Sequence, residues 1–155
     1  MNPLPHPSPM DSIEPIPKRY LTLEEAQAAL PQVRVHLERL QELHRELGIL
    51  RGLAFEYPDP WENHAAQIRA AGEMHRKAAE YYGELEAILG LGAEVKDIQK
   101  GLLDFCSLDG GQEILLCWMQ GEEEIGFFHD RERGFAGRQP VSLLKRDFPP
   151  QREQE

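Results

Sequence analysis

Five polar side chains in the later half of the sequence have the types to do chemistry together: Asp97, Asp104, Glu122, His129 and Arg138. Carboxylates, an imidazole and a guanidinium at one end of a small sheet could bind a small anion. They could also run general acid–base chemistry where burial moves a carboxyl or imidazole toward neutrality. In the first case Arg138 would clamp a carboxylate or phosphate through two parallel N–H donors. In the second His129 would carry the proton. The bland alternative is structural: Asp104 and Glu122 cap turns, and Arg138 pairs with Asp97 to hold the last loop.

A metal-binding version uses Glu122 and His129, with Asp104 and Cys117 as further donors. Their spacing matches no metal-ligand signature, and no C-x-x-C is present. Cys117 falls between Leu116 and Trp118 in an apolar run, where a free cysteine acts as a small buried hydrophobe rather than a nucleophile. The helical histidines are His36, His44, His64 and His75. A di-metal bundle needs Glu-x-x-His, which sets both ligands on one helix face. Glu42-x-His44 and Glu73-x-His75 sit two apart, on nearly opposite faces, and fail that test. His44 and His75 are expected to face each other as a hydrogen-bonded interior pair. No phosphate-loop, dinucleotide, serine-elbow or H-E-x-x-H motif occurs, and no cofactor is expected.

The elements that must position these residues are legible from period and punctuation. Thr22 with Glu25 forms a capping box, opening a first helix whose stripe is Leu23, Ala26, Leu30, Val33, Leu37, Leu40 and Leu47. His44 fills one position of that stripe, and Pro31 should kink the helix. Asp59-Pro60-Trp61-Glu62 opens a second helix. Its stripe is Trp61, Ala65, Ile68, Gly72, His75, Ala79, Tyr82, Leu85 and Leu89, with small residues at Ala65, Ala71, Gly72, Ala78 and Ala79. Gly90 and Gly92 end it. Beyond Gly92 the period changes to that of strands: Leu102–Cys106, Glu113–Met119 and Glu124–His129. The middle one is apolar enough to be covered on both faces. A turn at Asp109-Gly110-Gly111 joins the first two strands. If Gly110-Gly111 makes the turn, Asp104 opposes Cys117; if Asp109-Gly110 does, Cys106 opposes Glu113. Neither register sets Cys106 against Cys117, so a disulfide is disfavoured. In the last strand Ile125, Phe127 and His129 should share one face.

The fold class is therefore α+β: a long antiparallel helix hairpin packed on a small antiparallel three-stranded β-meander. Residues 1–19 read as a disordered proline-rich tail and 149–155 as a second tail. Residues 20–148 read as one domain, with the hairpin at 20–91 and the meander and closing loop at 92–148.

Composition narrows the functions. With 27 acidic and 17 basic residues the net charge is −10, which opposes phosphate-tracking nucleic-acid binding. The late basic set Arg131, Arg133, Arg138, Lys145 and Arg146 is interleaved with Asp130, Glu132 and Asp147, as on an ordinary mixed surface. No apolar run approaches the ~20 residues of a spanning helix. The start lacks the basic and apolar stretches of a signal peptide, so a cytoplasmic location is expected.

The later half also carries a recognisable string: Lys96-Asp97, Gly101-Leu102, Asp104-Phe105, Asp109-Gly110, Leu116-Cys117-Trp118, Gly121-Glu122, Ile125, His129, Gly134-Phe135 and Gly137-Arg138. In this order it resembles the bacterial family called domain of unknown function 2203, over roughly Tyr20 to Val141. The resemblance implies helices followed by strands and a cytoplasmic bacterial protein. It implies no activity, cofactor or partner. The leading functional expectation is a non-enzymatic small-anion or protein-partner binding module, acting as a homodimer through the helix hairpin. The alternative is a small His/carboxylate enzyme, metal-assisted, with its site on the meander.

Overall fold

In the computed structural model, residues 8–145 are described, apart from the side chain of Asp11. The expectations for residues 1–7 and for 146–155, including the second tail and the Arg146–Asp147 end of the basic set, lie outside the described residues.

Helix α1 spans Leu23–Arg51. The Thr22 side chain accepts from Glu25 N at 3.1 Å, as the capping box requires. Ala26, Leu30, Val33, Leu37 and Leu40 are buried against the sheet, and Leu43 and Leu47 continue the stripe. Leu43 rather than His44 thus fills the interior position. His44 is half-buried, its ring 6.4 Å from that of Tyr81. Pro31 lies inside the helix on the exposed side, away from the core.

Helix α2 spans Pro60–Gly90, capped by Asp59, whose carboxylate accepts from Trp61 N at 3.0 Å. Of its apolar stripe Leu85 packs on the core, but most of the large members face away from it. Trp61, Ile68, Tyr82 and Leu89 are 78%, 58%, 62% and 40% exposed. The side turned to α1 carries Met74, Lys77, Tyr81, Glu84 and Ile88. Lys77 bonds Glu46, Glu84 bonds His36, and Ile88 is fully buried. Polar groups occupy this contact face because each finds a partner across it, which the hydrophobic pattern alone does not show. Tyr81 therefore packs on the core, and Tyr82, a member of the apolar stripe, points out. His75 is exposed, so the expected His44–His75 pair does not form.

Leu91 and Gly92 turn the chain into the sheet. Gly92 has φ +93°, and a Cβ there would sit 2.8 Å from Leu21 Cδ1, so glycine is strongly favoured. The sheet has five antiparallel strands in chain order: β1 Ala93–Asp97, β2 Leu102–Asp109, β3 Gln112–Met119, β4 Phe127–His129 and β5 Gln139–Pro140. The edge strands β1 and β5 add to the expected three; they are short and carry little alternation. Gly110 and Gly111 both take positive φ in the β2–β3 turn, which sets Asp104 opposite Cys117.

One face of the sheet carries Leu103, Phe105, Leu116, Trp118 and Phe128, packed with α1 in a single core. Ile125 precedes β4 and joins that core, rather than sharing a face with Phe127 and His129. The other face carries Asp104, Cys106, Leu115, Cys117 and His129, all buried. β1 begins opposite Phe105, and on the far side of that point the segment leading into α1 takes its place beside β2. Leu21 N donates to Cys106 O at 2.8 Å, and Ser107 Oγ donates to Leu21 O at 2.6 Å.

Candidate functional site

The face of the sheet turned away from α1 is where the candidate residues gather. Strand pairing sets Asp104 beside Cys117 and Phe127 in one cross-strand row, with Cys106, Leu115 and His129 in the next. His129 Nε2 lies 3.0 Å from Asp104 Oδ1, and both side chains are 4% exposed. His129 Nδ1 lies 2.7 Å from Asp130 O. A carbonyl oxygen only accepts, so Nδ1 carries a hydrogen and donates it. The contact at Nε2 is then a second hydrogen bond, to the Asp104 carboxyl group. One ligand atom from each of Asp104, Cys117 and His129 falls within 4.8 Å of the others. Burial, reinforced by the Asp104 carboxylate, pushes the Cys117 thiol up to about 12. The thiol is therefore neutral and fully buried, which fits the sequence expectation of a small hydrophobe and not a nucleophile.

Glu122 and Arg138 form a second, adjoining pair. Arg138 Nη2 donates to Glu122 Oε1 and Oε2 at 2.7 and 3.0 Å. The guanidinium is sandwiched between Phe127 and Phe135, at 4.2 and 4.8 Å from their ring centres. Arg138 Nη2 also lies 3.4 Å from Cys117 O, which links the two pairs. Glu122 caps the turn after β3 by accepting from Met119 N at 2.6 Å, while its carbonyl receives Trp118 Nε1. The guanidinium that would clamp an anion is thus already held by a carboxylate of its own chain.

Asp97 stands apart. It accepts from Lys100 N at 2.9 Å and caps the β1–β2 turn, so the ion pair expected between Arg138 and Asp97 is replaced by Arg138–Glu122. Of the five candidates, the structure therefore joins Asp104 with His129, and Glu122 with Arg138.

A further charged centre escaped the sequence reading. Glu113 Oε2 accepts from Lys18 Nζ at 2.7 Å and Tyr20 OH at 2.9 Å, and its Oε1 accepts from Arg131 Nη2 at 2.8 Å. These bonds, Lys18 first, hold the Glu113 carboxyl down at about 2. Its partners lie far apart in sequence, and no local spacing announces them. Arg131 and Arg133 are paired with Glu113 and Asp130, so the late basic set is a mixed surface in the described residues. No described helix is long and apolar enough to cross a membrane.

Open clefts of about 390 and 300 Å³ border Lys18 with Arg131 and Trp118 with Glu122. A smaller, partly open pocket of about 180 Å³ sits at the start of α1, between Leu23, Leu108 and Leu144. An open groove of about 690 Å³ lies at the hairpin tip, lined by Leu50, Leu53, Phe55, Tyr57 and Trp61.

No curated protein and no solved structure matches the chain. A family model does: the one described as "Uncharacterized conserved protein (DUF2203)" covers residues 19–141, which include both helices, the whole sheet and every candidate residue. The chain belongs to the DUF2203 family.

Proposed function

We propose that this protein is a cytoplasmic, non-enzymatic binding module that works as a homodimer, joined through the outward face of α2. The exposed stripe of that helix carries the proposal. It runs Trp61, Ala65, Ile68, Gly72, His75, Ala79, Tyr82 and Leu89, at alternating spacings of three and four over most of the helix. Its large members are open to solvent, and a solvent-facing helix side is ordinarily polar.

A second copy of the same helix fits this stripe. Large and small residues alternate along it: Trp61, Ile68, His75 and Tyr82 are separated by Ala65, Gly72 and Ala79. In an antiparallel pair about a two-fold axis, large positions of one helix meet small positions of the other. Ile68 then packs on Ala79 of the second copy, Tyr82 on Ala65 and His75 on Gly72. Ala71 and Ala78 flank the seam and allow close approach. A parallel pair would set Ile68 on Ile68 and leave gaps at the small positions. The two free, buried cysteines suit a reducing compartment.

A protein partner is favoured over a small anion, because Arg138 is engaged by Glu122. The enzymatic alternative draws on the Asp104–His129 pair. Its burial leaves no open face for a substrate, which supports the binding reading instead.

Light scattering coupled to size exclusion should give the mass of a dimer, and Ile68→Glu should give a folded monomer. A disulfide test fixes the direction. The Ile68→Cys/Ala79→Cys double variant should form a covalent dimer on oxidation, whereas Ile68→Cys alone should not. A wild-type protein that stays monomeric at its highest soluble concentration would falsify the proposal.

A further inference from the structure

We propose that Asp104, Cys117 and His129 form a buried site for one divalent transition-metal ion, with zinc the best match, that ties β2, β3 and β4 together. The donors come from three adjacent strands, one from each, and their ligand atoms lie within 4.8 Å of one another. A carboxylate oxygen, a thiolate sulfur and an imidazole nitrogen form a mixed set that zinc accepts and that magnesium and calcium do not.

The surroundings are those of a metal-bound histidine. Nδ1 donates to Asp130 O, so the ring is held with Nε2 aimed at Asp104. A ligating histidine commonly gives its other N–H to a backbone carbonyl in this way. Charge also balances. As ligands Asp104 and Cys117 each carry one negative charge and His129 none, so a divalent ion leaves the buried group neutral. Binding sends the thiol proton and the proton of the Nε2–Asp104 hydrogen bond to bulk water, and the ion takes their place. The second oxygen of Asp104, or one water, completes a four-coordinate shell. Glu122, a metal candidate from sequence, is not in the set because Arg138 and Met119 N already occupy its carboxylate. With all three donors at 4% exposure or less, the ion would act as a structural clamp on the sheet.

The test uses cobalt as the probe. The full chain is unfolded in chelator and reductant, refolded with cobalt, and freed of excess metal by gel filtration. The expected result is one cobalt per chain and a thiolate-to-cobalt absorption band in the near ultraviolet, both displaced by zinc. Cys106→Ser should keep the band. Cys117→Ser should lose it and weaken binding by roughly tenfold or more. A refolded wild-type chain with no stoichiometric cobalt overturns the site, as does a band that survives in Cys117→Ser. If Cys117→Ser does not fold, the wild type and Cys106→Ser decide: a band and one ion in both supports the site, and loss in Cys106→Ser overturns it.

Discussion

The Glu113 carboxylate shows how much one side chain can hold when its acceptor sites are filled. It joins Lys18 and Tyr20, ahead of α1, to Arg131 after β4. Its depressed pKa sets a pH dependence with a definite sign. A carboxylate held at about 2 in the fold, against an ordinary 4.5, contributes stability that is fully present above 4.5. That contribution is lost as pH falls through about 2. Urea midpoints compared between about pH 5 and pH 3 should therefore drop less in Glu113→Gln than in the wild type. A drop of equal size in both proteins would assign the acid sensitivity to other groups. Glu113 was invisible as a centre in the sequence because it reads as the polar first turn of a strand. Asp104, His129, Glu122 and Arg138 could be singled out by type, but their partners could not. Which carboxylate meets which base depends on strand register and on where a loop returns. Asp97 went to its own turn and Glu122 took the arginine.

At the scale of elements, the helix starts were legible because capping chemistry is local. Thr22 and Asp59 each bond backbone N–H groups two or three residues on. The β2–β3 turn was legible for the same reason, although its register needed the structure to choose between Asp109-Gly110 and Gly110-Gly111. The contact face of α2 was misjudged because it is lined with Lys77 and Glu84, which a hydrophobicity pattern assigns to solvent. Their partners Glu46 and His36 come from the other helix. The edge strands were missed because Gln139–Pro140 has no periodicity to detect and Ala93–Asp97 barely more. The junction of α2 and β1 is the tightest point between elements. Gly92→Ala would place a methyl group against Leu21 at a positive φ. It should cost about 1–3 kcal/mol in chemical denaturation, the usual range for a strained residue of this kind. A cost within error of zero would mean that Leu21 has room to yield.

The whole molecule is longer than its sheet. Helices of 29 and 31 residues extend about 43 and 46 Å, whereas the eight-residue strands β2 and β3 span about 26 Å. The α1 residues in the common core run only from Ala26 to Leu40, and Gln41 makes the last bond from α1 to the sheet loops, at Ile98 O and Gln120 Oε1. Beyond it the two helices rest on each other alone. This overhang has a kinetic consequence. Its amide hydrogens should exchange through local opening of the hairpin end, well before those of β2 and β3, which exchange only when the core opens. In the antiparallel dimer, the overhang of one copy lies along the sheet end of the other's α2. Dilution should then speed exchange at Trp61–Ile68 while leaving Phe105 and Leu116 unchanged. Hydrogen–deuterium exchange at two protein concentrations reads this directly, and a rate at Trp61–Ile68 that ignores concentration would count against the pairing. The free end of the hairpin would then act as a gauge of how many copies are present.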